Sequence, residues 1–301
     1  MENTREAFLK LPKADVHNHF HLGGSQKRLL KMYPKSKIIF PEKYEGLPGM
    51  IDFIYGHLNK IMLTKEDVIH FMENAILSSI EDNVTLLEAS VDVNLARFFN
   101  NSVTEVIKEV KKIKEKYKSN IIFKPDVGIN KDLPLDKVYE YGEAFIDSGE
   151  FFGIDIYGKE ANKDVKPFKE LFKTAKKKGL KTKAHIGEFS DYNTINETIE
   201  VLNPDELQHG INAIQSEKTM DLILERNIRL NTCPQSNISL GTVSNIKKHP
   251  IKKLFDKGIK VTVNTDDLIL FNSTVTDELY NLYKNGVFSF NELDIIRKNA
   301  F

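Results

Sequence analysis

Apolar residues along this chain fall into two alternating rhythms. Short runs rich in β-branched and aromatic residues occur at Ala14–Phe20, Val84–Val91, Ile121–Val127, Phe151–Tyr157, Leu180–Ile186, Glu206–Gln208, Ile228–Cys233 and Lys260–Asn264. Their length and β-prone composition predict strands. Between them, apolar positions recur at helical spacing over Thr64–Ile80, Pro134–Asp147, Pro167–Lys178, Thr194–Leu202, Glu217–Arg226 and Ile251–Lys257. Eight strands alternating with helices predict an α/β fold with a parallel sheet, and eight is the number that closes a barrel. The expected architecture is a (β/α)8 TIM-type barrel, with its active site at the C-terminal ends of the strands. A doubly wound open sheet would place a glycine-rich turn after the first strand. The segment there, Leu22-Gly23-Gly24-Ser25, follows three histidines and fits no dinucleotide fingerprint.

No internal repeat, low-complexity tract or Pro/Gly/Ser linker divides the chain, which predicts one domain over 1–301. Residues 26–83 are expected to form helical cover over the pocket. The densest charge run, Glu105 to Lys118, sets Val106, Ile107, Val110, Ile113 and Tyr117 at helical spacing. Its lysines alternate with Glu109 and Glu115, so it reads as a solvated helix face and not as a nucleic-acid patch. The run at 173–181 is a helix end, with cations near the negative pole and Gly179 as the stop.

Charge narrows the partners. The 301 residues carry 43 basic and 43 acidic side chains, so no global attraction to nucleic acid or an anionic membrane is expected. The single cysteine can form no internal disulfide and no multi-cysteine zinc site, which points to a reducing cytoplasm. The N-terminal stretch has no apolar core of signal-peptide type, and no run approaches the ~18 apolar residues of a membrane span. A small-molecule substrate is the partner expected; oligomeric state is left open.

The chemistry concentrates at predicted strand ends. Of eight histidines, His17, His19 and His21 fall within five residues, and His185 and His209 end two further strands. Residues two apart on a strand share a side, so His17 and His19 can aim both imidazoles at one point, as a borderline cation such as Zn2+ prefers. Strand five runs into His185-Ile186-Gly187-Glu188, strand six into His209-Gly210, and strand eight into Asn264-Thr265-Asp266-Asp267. A barrel gathers these ends at one mouth, and a divalent cation would compensate the adjacent buried carboxylates.

With these residues in view, the chain resembles the adenosine deaminase family of metal-dependent hydrolases over nearly its whole length. The resemblance rests on LPKADVHNHF at 11–20, DIYGKE at 155–160, HIGE at 185–188, QHG at 208–210, TCPQSNISLG at 232–241, HPIKKLFDKGIKVTVNTDD at 249–267 and TDELYNLY at 276–283. It implies a (β/α)8 barrel holding one zinc ion per chain, with His17, His19, His185 and Asp266 as ligands and a water in the remaining position. Zinc can lower such a water's pKa to roughly 7. The family pattern makes His209 the histidine that receives or orients the water's proton, with Asp266 sharing that role. It makes Glu188 the acid that protonates the ring nitrogen beside the reacting carbon, which a dry pocket would favour. Asp267 matches the carboxyl that hydrogen-bonds purine N7. Gly158 matches the glycine whose backbone meets purine N3, and reads equally as a plain turn residue.

The first motif departs from the family's. Nucleoside deaminases of this kind carry His-x-His-Leu-Asp-Gly-Ser, where the Asp meets the ribose; here the run is HNHFHLGGS, two residues longer. Counted forward from Leu11-Pro12-Lys13, the ligands are His17 and His19 and His21 falls on the ribose position. Counted back from Gly24-Ser25, the ligands are His19 and His21. Asp15-Val16-His17-Asn18-His19 fits the wider amidohydrolase signature, which favours the first count, with His21 then a substrate contact. Neither count supplies a ribose carboxylate. Leu268 replaces the usual proline after Asp-Asp, and the chain stops at RKNAF, several turns before typical members end, so a curtailed last helix is expected.

Other residues read more plainly. His57 and His70 lie in helical stretches as surface or packing residues, and His249 before Pro250 is structural. Cys233 reads as a buried small residue ahead of a nucleophile. Lys159 follows strand four instead of ending it, which favours one metal over two. The function expected is zinc-dependent hydrolytic deamination of a 6-aminopurine or adenosine-type nucleoside, purine metabolism in the cytoplasm. The alternatives are another mononuclear amidohydrolase acting on a different amine or amide, and a catalytically silent deaminase-like binding protein. Cytidine-type zinc deaminases need Pro-Cys-x-x-Cys, which one cysteine excludes.

Overall fold

The computed structural model describes residues 4–160 and 164–301. Eight strands form one sheet: β1 (Lys13–Asp15), β2 (Val84–Asp92), β3 (Ile122–Asn130), β4 (Gly153–Tyr157), β5 (Lys181–Ile186), β6 (Glu206–His209), β7 (Arg229–Thr232) and β8 (Val261–Val263). They run in sequential order, every neighbouring pair parallel, with helices in each connection. The result is a (β/α)8 barrel, nearly closed. Its seam between β8 and β1 is held by hydrogen bonds outside the strand ladder: the Val16 N–H donates to Asn264 Oδ1 at 2.9 Å, the Asp266 N–H to the His17 carbonyl at 2.9 Å, and Thr265 Oγ1 to Asp15 Oδ2 at 2.5 Å.

The first strand is shorter than its sequence pattern. Its ladder with β2 ends at Asp15, and the chain then bridges through Asn18 to Asp266 on one side and through His19 to Ser90 on the other. His17 and His19 therefore sit just past the regular strand, fastened to both neighbours. Gly23 and Gly24 follow because the backbone passes so close to Asn18 and Asn74 that a Cβ would lie 2.0 Å and 2.3 Å from those side chains.

The outer helices start where capping chemistry sits. Thr64 and Asp67 form a reciprocal box at the start of Lys65–Glu81, and Ser102, Asp191 and Ser216 cap Val103–Tyr117, Tyr192–Leu202 and Glu217–Glu225. Within Val103–Tyr117, Glu109 is buried and paired with Lys65 at 3.1 Å and Lys112 at 2.9 Å, so that helix face is drier than its charge run suggests. Residues 26–83 carry the helices Gln26–Met32, Gly46–Gly56 and Lys65–Glu81. Lys65–Glu81 packs on β2 as part of the outer ring. The stretch before it reaches the mouth: the Tyr44 N–H donates to the Ser239 carbonyl at 2.8 Å, and its ring meets Phe271.

Deeper in the barrel lies a buried ion cluster. The Lys183 Nζ sits 2.6 Å from both Glu88 Oε2 and Asp126 Oδ2, two residues below His185 on β5. Among the described residues, no helix is long and apolar enough to cross a membrane.

Candidate active site at the C-terminal mouth of the barrel

Four side chains from three segments converge beyond the strand ends. One donor atom each from His17, His19, His185 and Asp266 lies within 4.8 Å of all the others, and all four residues are buried. His17 Nε2 is 3.0 Å and His19 Nε2 3.2 Å from His185 Nε2; Asp266 Oδ1 is 3.5 Å and 3.4 Å from His17 and His19. The ring orientations are fixed from behind. His17 Nδ1 lies 2.8 Å from the Asn231 carbonyl, which only an N–H can satisfy. His185 Nδ1 lies 3.0 Å from Asp155 Oδ1, whose other oxygen accepts from Ser90 Oγ at 2.5 Å. In the neutral rings both Nε2 atoms then turn lone pairs toward the centre. His21 is not among these four.

Beside this centre stand Glu188 and His209. Glu188 Oε2 is 3.4 Å from His209 Nε2, and His209 Nε2 is 3.8 Å from Asp266 Oδ2. Burial first, then the charges of Asp266 and Glu160, pushes the Glu188 carboxyl well above its ordinary pKa, which keeps it a neutral acid. Burial and the neighbouring His17 hold His209 well below the ordinary imidazole value, so it stays neutral. Burial would raise Asp266, but the surrounding His17 and His209 outweigh it and hold that carboxylate ionised. His209 and Asp266 both have left-handed backbones, φ +67° and +58°, a strained setting for non-glycine residues.

A model of the adenosine deaminase family matches residues 12–301. The chain belongs to that family. It is an adenosine deaminase-like hydrolase, of the class that breaks the C–N bond of a cyclic amidine. A Treponema pallidum protein, provisionally named adenosine/adenine deaminase, is 34% identical over 282 residues, covering 94% of each chain. The crystal structure of adenine deaminase from Arthrobacter aurescens superposes with a TM-score of 0.82 at 22% identity, covering 96% of this chain and 92% of its own. An amidohydrolase from Burkholderia ambifaria, crystallised with bound Zn, gives 0.83 at 17% identity, covering 100% and 88%. At such identities the structural likeness concerns the fold.

The remaining expected contacts of this deaminase border the same mouth. Asp267 is buried, its Oδ1 has no hydrogen-bond partner among the described residues, and burial with the adjacent Asp266 raises it well above the usual carboxylate range. Gly158 follows β4 with φ +98°, and a Cβ there would lie 2.7 Å from Asn130 Oδ1, so the turn alone requires glycine. His21 has an unpartnered, buried Nδ1, and burial first, then Arg97, lowers its pKa to about 4. Cys233 is fully buried at the start of Pro234–Ser239, and burial with Asp266 nearby raises its thiol well above the usual value, so it is no thiolate nucleophile. Lys159 is exposed after β4. His57 stacks on Phe53 at 4.7 Å and His70 lies exposed on Lys65–Glu81.

Several residues of the site were not singled out from sequence. Glu160, within DIYGKE, is buried and accepts hydrogen bonds from the backbone N–H groups of Gly187, Glu188, Phe189 and Ser190 and from Ser190 Oγ. It holds the whole loop that presents Glu188. Ser236 Oγ donates to Asp266 Oδ2 at 2.7 Å, and Asn237 Nδ2 to Glu188 Oε1 at 2.6 Å. Both lie in the quoted TCPQSNISLG run, where a polar pair after a strand carries no signal of what it touches.

Proposed function

We propose that this protein is a zinc-dependent hydrolytic deaminase of a 6-aminopurine, either the free base or an adenosine-type nucleoside. The observation that carries the reading is the convergence of three imidazole nitrogens and one carboxylate oxygen beside a carboxyl kept neutral. Ligands about 2.0–2.1 Å from a zinc ion lie about 3.0–3.5 Å from one another, the spacing of His17, His19, His185 and Asp266. Neutral imidazoles at such separations repel unless a proton or a metal cation lies between them, and the donor set fits one divalent ion per chain. When bound, that ion would supply a water of lowered pKa as nucleophile.

The chain's own residues would do the rest. Glu188 donates its proton to the ring nitrogen next to the amino-bearing carbon, which makes that carbon electrophilic. The water's oxygen bonds to the carbon, its second proton returns to Glu188 as the oxygen becomes a carbonyl, the C–N bond breaks, and the amino group leaves as ammonia with one proton from the water. Asp266 accepts that proton or His209 orients it. Asp267, neutral and with an unpartnered oxygen, is suited to donate to purine N7. The Gly158 backbone would meet N3, and His21 would lie where relatives use a carboxylate for the ribose. An imidazole there offers no charged acceptor to a ribose diol, which favours the base or a modified nucleoside over adenosine. The buried, unpaired Cys233 suits a reducing cytoplasm.

An ammonia-release screen over adenine, adenosine, 2′-deoxyadenosine, 5′-modified adenosines and AMP tests the reading, alongside metal analysis. Activity on at least one, with about one divalent ion per chain, is expected. Glu188→Gln should keep the metal and lose about 10²–10⁴ in kcat. A folded, metal-loaded protein that releases ammonia from none of these purines would leave the alternative amidohydrolase reading. A well-folded protein without metal would remove the mechanism.

A further inference from the structure

One chain of hydrogen bonds behind Glu188 runs through His249 to the backbone amide of Ile251. The Ile251 N–H donates to His249 Nδ1 at 3.1 Å. A backbone N–H is always a donor, so His249 Nδ1 is the acceptor and the ring proton of the neutral form is on Nε2. His249 Nε2 lies 2.9 Å from Asn237 Oδ1 and so donates to it. That fixes which end of the Asn237 amide is which. Its NH2 group faces the active site, 2.6 Å from Glu188 Oε1 and 3.2 Å from His209 Nδ1. Asn237 and His249 are both buried, and burial lowers the His249 pKa to about 3, so no second ring proton disturbs the sequence.

We infer that Asn237, oriented by His249, is a positioning residue that sets the proton-bearing atoms of both Glu188 and His209. Its two amide hydrogens occupy Glu188 Oε1 and His209 Nδ1 as acceptors. Oε2 is then the Glu188 oxygen that carries the acid proton, and His209 is the Nε2–H tautomer. His209 consequently enters the reaction as a hydrogen-bond donor from Nε2, toward Asp266 Oδ2 and the water, and the proton acceptor of the pair is Asp266. This inference rests on the reading of Glu188 as the acid; the tautomer of His209 is independent of it.

The test combines kinetics with the nitrogen-15 spectrum of histidine-labelled, metal-loaded protein, His209 being assigned by its loss in His209→Asn. In the native protein His209 should show a bare, pyridine-like Nδ1 and a protonated Nε2. Asn237→Leu should lose that pattern and drop kcat about 10–100-fold, with KM and metal content nearly unchanged. His249→Leu should follow it. His249→Gln, whose amide nitrogen can take the place of Nε2 as donor to Asn237 Oδ1, should recover most of the native rate. A protonated Nδ1 on His209 in the native protein would overturn the inference, whether or not any purine is turned over. So would an Asn237→Leu enzyme with native kcat, or equal losses in His249→Gln and His249→Leu. Absence of purine deamination with the expected spectrum would instead count against the Glu188 assignment and leave the network standing.

Discussion

His17 Nε2 and His185 Nε2 face each other at 3.0 Å, and each ring's other nitrogen is already committed as a donor, to the Asn231 carbonyl and to Asp155. Two lone pairs held this way are unfavourable in a buried site, and the fold that holds them gains stability from any cation that separates them. Chelation should therefore lower the melting temperature as well as the activity, and zinc should restore both. Replacing His17 or His185 by alanine should cost most of the metal content, measured by elemental analysis. His21→Ala should keep it, and loss of metal there would move the ligand set to His19 and His21.

Glu160 reaches across from the end of β4 to collect four backbone N–H groups and one hydroxyl of residues 187–190. One carboxylate accepts from all of them, with Ser190 Oγ a second acceptor for the Gly187 N–H alone, so without Glu160 most of these buried donors face nothing. Glu160→Gln puts an NH2 group where one of these donors points. We expect a loss of about 1–3 kcal/mol in unfolding free energy and of about 10–100-fold in kcat, with metal retained. Chemical denaturation and steady-state rates read the two effects separately. An unchanged kcat would mean that Glu188 is positioned without this anchor.

Much of this architecture is legible in the sequence because it depends on local periodicity. The strand positions and helix spans follow from apolar spacing, and the His, Glu and Asp residues that end the strands stand where a barrel must gather them. What escapes is whatever depends on contacts distant in sequence. Glu160 and Glu188 are 28 residues apart, and only the fold shows that one carboxylate anchors the other's loop. His249 reads as a helix-start residue, yet its Nε2 reaches Asn237 behind the acid. The left-handed φ of His209 and Asp266 is equally invisible, since neither residue type announces it. Strand one reads too long because its pattern continues while its hydrogen bonds pass to two different neighbours.

The barrel interior below the site carries its own prediction. Lys183 is fully buried between Glu88 and Asp126, and burial, only partly offset by Lys183, raises Asp126 to about 7. Removing Lys183 leaves Asp126 without its close cation and Glu88 with only Arg229 and Lys124, each at 3.9 Å. Lys183→Met should therefore cost about 3–5 kcal/mol of stability, and adding Glu88→Gln and Asp126→Asn should return most of it. Urea denaturation of the single and triple variants decides this. A single variant within about 0.5 kcal/mol of the native protein would mean the cluster is solvated or dispensable.

Glu278 gives a pH dependence whose sign can be worked out. Its carboxyl is buried in Val275–Lys284, accepts from the Gln235 N–H, and is raised by burial to about 8. In the unfolded chain a glutamate titrates near 4.3, so between these values the folded state holds a proton that the unfolded state has released. The stability this contributes is complete below about pH 4.3 and is lost as pH rises through about 8, at up to about 1.4 kcal/mol per pH unit. Buried His19 and His249, lowered to about 3, and half-buried His21, lowered to about 4, act in the opposite sense, because the unfolded state binds protons that they refuse. The native profile alone is thus a poor reporter, and a difference between variants is needed. Glu278→Gln mimics the protonated acid at every pH. Its unfolding free energy should run close to the native protein's near about pH 4 and exceed it increasingly up to about pH 8, by an amount on the order of 1 kcal/mol per pH unit. Parallel profiles for the two proteins would show that Glu278 is ionised in the fold and that its burial is compensated by partners other than a proton.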